Sequence, residues 1–216
     1  MIKNLLLLFI PVIFIIGCAT TPKDYSKFNA ANPHSILIVP VVNDSVDVDA
    51  PDYFLSTISR PVAEQGYYVF PVNMVKRILE DAGLSDANLV HAAPTEKLCS
   101  LFGSDAVLYI KINSWDAKYL LISTTITVAL EYAIKDGKTG EILWEDKRIE
   151  KYTPQRSRSS GNWIADLITD VAIAAVEKAN PSYIPLAQRA NAEAFRYPGP
   201  GIPPGIYALA KEKNEK

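Results

Sequence analysis

Hydrophobic and polar positions alternate along this chain in a few distinct ways, and each way predicts an element. Leu5 to Ile16 is a twelve-residue apolar run with one preceding charge, Lys3, and small residues around a cysteine at Gly17-Cys18-Ala19. Its length is short for a bilayer span and typical of an export signal. Residues 19–34 are polar, hold two prolines and show no period, which predicts a tether. Ser35 to Asn43 is a β-branched apolar run, so it predicts a buried strand, with Pro40 marking an edge, a bulge or the strand end. The acidic stretch Asp44 to Asp52 follows; its spacing does not fit a calcium loop, and it predicts a solvated loop with Asp52 as helix N-cap.

Helical periodicity then takes over. Phe54, Leu55, Ile58 and Val62 share a face over 52–65, with Pro61 predicting a kink or an early break and Gly66 a C-cap. Residues 67–72 predict a second strand. Asn73 predicts a cap for a helix over 74–82, with Val75, Ile78 and Leu79 inward and Gly83 stopping it. The order strand, helix, strand, helix implies a right-handed βαβ unit with parallel strands. A connector over 84–94 leads to a helix over 94–102 with Leu98, Leu101 and Phe102 inward, closed by Gly103.

From Asp105 the period changes to two. Val107, Tyr109, Lys111 and Asn113 share one face of a strand, and Leu108, Ile110 and Ile112 share the other. Residues 118–135 read as one long half-buried strand, with Leu120, Ile122, Ile126, Val128, Leu130, Tyr132 and Ile134 on one face. The turn Asp136-Gly137-Lys138-Thr139-Gly140 returns the chain into a partner strand over 141–152, making a hairpin or meander. The length of 118–134 also meets the requirement for a membrane-inserting strand, but the charged partner EDKRIEKY favours a soluble hairpin. A basic loop over 153–161 precedes the best amphipathic helix, 162–179, which carries Trp163, Ile164, Leu167, Ile168 and Val171 on one face. A short helix over 187–195 follows. The proline- and glycine-rich segment Tyr197 to Tyr207 predicts either a wrap fixed on the surface or an extended recognition segment.

The fold class is therefore α/β (α+β): a single mixed sheet with an N-terminal parallel βαβ part, an antiparallel hairpin or meander, and helices packed on it. The domain organisation is a signal peptide over 1–17, a tether over 18–34, an α/β domain over 35–181 and a Pro/Gly-rich extension over 182–216. Composition changes this picture little. Net charge is −2 and becomes −3 without Lys3, which gives no electrostatic footprint for nucleic acid. With Cys18 acylated, Cys99 has no intramolecular partner for a disulfide. Phosphate-loop, dinucleotide, nucleophile-elbow and zinc-protease motifs are absent. The two histidines, His34 and His91, fall in expected loops, so neither a metal site nor a Cys99–His catalytic pair is expected. These features point to a non-enzymatic chain without a cofactor.

Ile15-Ile16-Gly17-Cys18 resembles the lipobox of bacterial lipoproteins, in which the cysteine is acylated and becomes the first residue. Together with the 36–42 strand, the start of the second strand at 66–72, the 136–144 turn and the tail GIPPGIY, it makes the chain resemble an uncharacterised family of Gram-negative lipoproteins. That family is related in fold to the curli-secretion lipoprotein CsgG and to the N-terminal domain of TolB. The resemblance implies lipidation of Cys18, attachment to the outer membrane, and a role as an accessory protein-binding component in secretion or surface assembly. Ala19 after the cysteine fits the outer membrane, since Asp there favours inner-membrane retention in such lipoproteins. The implied partners are other envelope proteins, a CsgG-like lipoprotein among them, with homo-oligomerisation also compatible. The alternative function is a binding module for a small envelope ligand such as a glycan fragment, lined by Tyr67, Tyr68, Trp115 and Tyr119.

Overall fold

The computed structural model describes residues 23–120, 123–153 and 183–214. The signal, Cys18 and the helix expected over 162–179 lie outside these residues. The elements in chain order are α1 (Ser26–Ala31), β1 (Ser35–Ile38), β2 (Val42–Asn43), α2 (Ala50–Glu64), β3 (Tyr68–Val69), α3 (Val72–Asp81), α4 (Ala87–Ala92), α5 (Thr95–Phe102), β4 (Ala106–Leu120), β5 (Ser123–Asp136), β6 (Ile142–Tyr152), α6 (Tyr183–Phe195) and α7 (Ile206–Asn214). They form one mixed sheet in the order β3-β1-β4-β5-β6, with β2 pairing on β4. β1 runs parallel to β3 and β4, while β4, β5 and β6 are antiparallel. The expected mixed sheet with a parallel start, an antiparallel end and helices on it is what forms.

Pro40 lies where the first apolar run divides into β1 and β2, a position that needs no ladder N–H. α2 begins at Ala50, so Asp49 rather than Asp52 occupies the cap position, and Asp52 instead pairs with Lys76 Nζ at 2.6 Å. Pro61 lies inside α2, which continues to Glu64, so it does not end the helix early. The next helix starts at Val72 behind Pro71, not behind an Asn73 cap. Ile78 and Leu101, expected inward, are 39% and 52% exposed. The connector carries α4, so His91 stands on a helix rather than in a loop.

The largest departure is in the long alternating run. Residues 118–120 finish β4, and β5 starts at Ser123, with Leu120 paired to Ser123. The run is thus the end of one strand and the whole of the next. A bulge between Ile112 and Ser114 inserts one residue into β4. It moves the core face from Leu108, Ile110 and Ile112 to Trp115, keeping all four buried in the same cluster.

The core has two parts. On one side of the sheet, β1, β4, β5 and β6 meet α1, α2 and α6 through Ile36, Phe54, Ile58, Trp115, Tyr132, Trp144 and Phe195. Within it Asn191 is fully buried. Its amide donates to Thr57 Oγ1 at 2.8 Å and its carbonyl accepts from the Tyr132 hydroxyl at 2.7 Å, tying α2, α6 and β5 together. On the other side Leu37, Val39, Val107 and Tyr109 meet α3, α4 and α5 through Val75, Leu79, Val90 and Leu98. The parallel half is thus sandwiched. Beyond it the outer face of the antiparallel half stays half-buried or exposed at Glu131, Ala133, Lys135, Glu145 and Lys147.

The C-terminal segment is wrapped on this core, in line with the surface-wrap reading. Ile202 is fully buried. Pro200 O accepts from Trp144 Nε1 at 2.9 Å and from Lys23 Nζ at 3.1 Å, and Gly201 O accepts from the Tyr25 hydroxyl at 2.6 Å. Gly205 must be glycine for space: a Cβ there would meet Gly66 O at 2.3 Å. The strap therefore closes over the point where the tether enters the domain.

Asp105 pins the same end. Its Oδ2 accepts from the N–H groups of His34 and Ser35 at 3.0 Å and from the Ser35 hydroxyl at 2.9 Å. Burial pushes this carboxyl up, but the Ser35 hydroxyl and the two N–H groups outweigh it and hold it below its ordinary value. The folded form therefore binds this proton less readily than the unfolded form. Its contribution is present above the unfolded value of about 3.9 and is lost as pH falls through the lower folded value. Asp105→Asn is expected to lower the urea midpoint at neutral pH and to narrow its gap from wild type as pH approaches about 3. A gap constant from neutral to acid pH would refute this role.

Candidate functional site

The sequence-predicted aromatic set is not assembled. Trp115 is fully buried and stacks on Tyr183 at 5.4 Å. Tyr67 is buried edge-on to Phe28, with its hydroxyl donating to Pro203 O at 2.6 Å. Tyr68 is half exposed against Phe70, and Tyr119 lies near the far end of β4.

Cys99 sits inside α5, buried beside Gly137, where a Cβ would fall 2.5 Å from its Sγ. Burial pushes its thiol above the ordinary range, the reverse of what a nucleophile needs. The imidazoles are engaged elsewhere: His34 faces Asn32 at 3.4 Å and His91 Nε2 lies 3.0 Å from Pro40 O. In a Cys18→Ala background, Cys99 is expected to resist iodoacetamide in the native protein and to label fully in urea. Rapid native labelling would contradict this. No group of three or more His, Cys, Asp or Glu poised for a metal occurs among the described residues.

A cavity of about 440 Å³ opens instead between the end of α4 and the outer face of β4, β5 and β6. The register aligns Tyr109, Ala133 and Glu145 across the three strands, and Lys111, Glu131 and Lys147 in the next row. The second row is closed by ion pairs: Lys111 Nζ to Asp44 at 2.6 Å and Lys147 Nζ to Glu131 at 2.9 Å. Hydrogen bonding to Lys147 holds the Glu131 carboxyl below its usual range, and Asp44 raises the Lys111 ammonium. At the first row, Lys135 Nζ lies 4.9 Å over the Tyr109 ring, and His91 stands edge-on to that ring at 5.1 Å. Burial lowers the His91 imidazole, Lys135 adds to this, and the Pro40 carbonyl only partly offsets both. His91 is therefore neutral at pH 7, with Nε2–H donating to Pro40. Burial raises the Tyr109 phenol, whose oxygen is 3.0 Å from Thr95 Oγ1, so it too stays neutral.

A second feature lies on the loop after β2. Val46 and Val48 are 92% and 84% exposed, the most exposed large apolar side chains among the described residues. The loop turn is held by Asn43, whose side chain caps Ser45 and reaches Asp47 O at 2.7 Å. The valines are thus held outward by a built turn. β1 starts beside the tether at the first residues of β4, and β2 pairs further along at Lys111 and Ile112, so this loop leaves the sheet midway along β4.

The fold is thus one mixed sheet with helices packed on it and a C-terminal strap across the end where the N-terminal segment joins. Residues 23–199 match the family described as "Putative lipoprotein GNA1162-like", and the chain belongs to that family. It is thereby one of a family of lipoproteins, membrane-anchored proteins of the cell envelope. A curated relative from Neisseria meningitidis serogroup B, "Putative lipoprotein NMB1124/NMB1162", is 33% identical over 151 residues, covering 69% of this chain and 70% of the relative. The crystal structure of lipoprotein GNA1162 from Neisseria meningitidis is similar with a TM-score of 0.54 at 32% identity, over 68% of this chain and 99% of that one. No helix among the described residues is long and apolar enough to cross a membrane.

Proposed function

We propose that this chain is an outer-membrane lipoprotein, held by acyl chains on Cys18, whose domain binds other envelope proteins as an accessory of secretion or surface assembly. The observation that carries the reading is the exposure of Val46 and Val48 on the loop after β2, which leaves the sheet beside Ile112, midway along β4. Two valines fixed outward by an Asn43-centred turn give a partner an apolar contact in the periplasmic space. A relation in fold to CsgG, and a CsgG-like lipoprotein as the partner, belong to the same proposal. They rest on the mixed sheet and on the sequence resemblance. The test is co-purification from detergent-solubilised outer membranes. Val46→Asp with Val48→Asp is expected to lose a co-purifying envelope protein while leaving the thermal midpoint within about 1–2 °C, as for exposed substitutions generally. Full retention of the partner by this variant would overturn the reading.

A second reading, binding of a small envelope ligand, is favoured by the cavity beside Tyr109. Its wall carries both signs of charge and one aromatic face. That composition suits a charged ligand better than a neutral glycan fragment.

A further inference from the structure

Within that cavity the charged groups are not equivalent. Lys111 and Lys147 are neutralised by Asp44 and Glu131. Lys135 and Glu145 have no ion-pair partner within 4.0 Å among the described residues, although both line the cavity. They are diagonal neighbours: Glu145 stands opposite Ala133, and Lys135 is two residues along β5 from Ala133. Such positions are about 7–8 Å apart at the backbone, and with no ion pair joining the two side chains both remain open to one small molecule. Ala133, between Tyr109 and Glu145, contributes only a methyl and leaves the volume above it open. The Tyr109 ring steers the Lys135 ammonium, which it attracts through its face, and keeps it over the cavity.

We propose that this cavity binds a dipeptide-sized zwitterion, with Lys135, held over the Tyr109 ring, receiving the carboxylate, Glu145 the ammonium, and the Ala133 methyl the intervening apolar part. An extended dipeptide separates its charged ends by about 6–7 Å, a span that two long side chains rooted on this diagonal can reach from either end. The ion pairs in the next row bound the site on that side, so a ligand with one net charge finds no spare partner there. The neutral His91 and Tyr109 add no charge that would reject either end. This is independent of the valines on the loop after β2, which do not line the cavity, so either proposal can fail alone.

The experiment is calorimetric titration of the full chain with L-alanyl-L-alanine, its N-acetyl derivative, its C-terminal amide, and L-alanine. The free dipeptide is expected to bind, and blocking either end to weaken binding by about ten-fold or more, as for loss of a charge-assisted hydrogen bond. L-alanine, whose charges are closer together, is expected to bind more weakly; tighter binding by L-alanine would overturn the dipeptide assignment. Lys135→Met is expected to abolish the penalty of amidation and Glu145→Gln that of acetylation. Ala133→Met, which adds bulk and no charge, is expected to weaken the dipeptide. Circular dichroism confirms that each variant is folded. No binding of the dipeptide at millimolar concentration, equal binding of the blocked forms, or wild-type binding by the two charge variants would overturn the proposal.

Discussion

Phe195→Ala is expected to cost the fold about 3–5 kcal/mol, read as a large drop in the urea midpoint. The ring is fully buried at the end of α6. It meets Tyr132 edge-on at 5.5 Å and Trp144 at 5.0 Å, so it fills the junction of β5, β6 and the helix. The surroundings cannot collapse to fill the gap. Tyr132 is fixed through Asn191, Trp144 is fixed through Pro200 O, and the chain turns so tightly after the helix that a Cβ at Gly201 would lie 2.3 Å from Phe195 O. Domains of this size are stable by about 5–15 kcal/mol, so the variant should be close to unfolding at growth temperature. Tyr197→Ala, two residues on and 44% exposed, serves as the comparison and should change the midpoint little. A loss below about 1 kcal/mol for Phe195→Ala would show that the helix is not integral to the core.

The second large effect concerns attachment. Each buried CH₂ of an acyl chain adds about 0.8 kcal/mol, so two or three chains on one residue convert reversible contact into stable anchoring. Cys18→Ala is expected to move the protein from the membrane pellet to the soluble periplasmic fraction and to abolish incorporation of labelled palmitate. Continued pelleting of the variant with washed outer membranes would show that something other than acylation holds the chain there.

The regular pattern of the chain was legible where one physical rule governs a stretch. β-branched runs, Pro40 at a strand break, and Gly66 and Gly103 at positive φ after their helices all appear where the sequence places them. The reversal between β4, ending at Leu120, and β5, starting at Ser123, was not legible. KYLLISTTITV alternates straight through it and contains no glycine, proline or asparagine to mark the reversal. The bulge near Asn113 was hidden for a related reason: one inserted residue changes which parity faces the core without changing composition. α6 already includes Tyr183, four residues before the helix expected at Ala187, although Ile184-Pro185-Leu186 looks like a break. Its spacing of Ala187, Ala190, Ala194 and Phe195 was readable as a buried face, but Asn191 among them argued the other way until Tyr132 and Thr57 supplied its partners.

The cavity was only half legible. Charges on one face of three strands were visible at Lys111, Glu131, Lys135, Glu145 and Lys147. Which of them pair and which remain open depends on register, which the spacing alone leaves open by two residues in either direction. The aromatic candidates failed because Tyr67 and Trp115 face the core rather than the solvent.

On the proposed reading the tether end anchors the domain and the loop after β2 makes the contact. That division of roles is tested most directly by placing a photo-reactive amino acid at position 46, and separately at position 27 near the tether, in the lipidated protein in intact cells. The account predicts a discrete crosslinked adduct with an envelope protein from position 46, lost when Val48→Asp is added, and none of that size from position 27. The same adduct from both positions, or none from position 46, would contradict it.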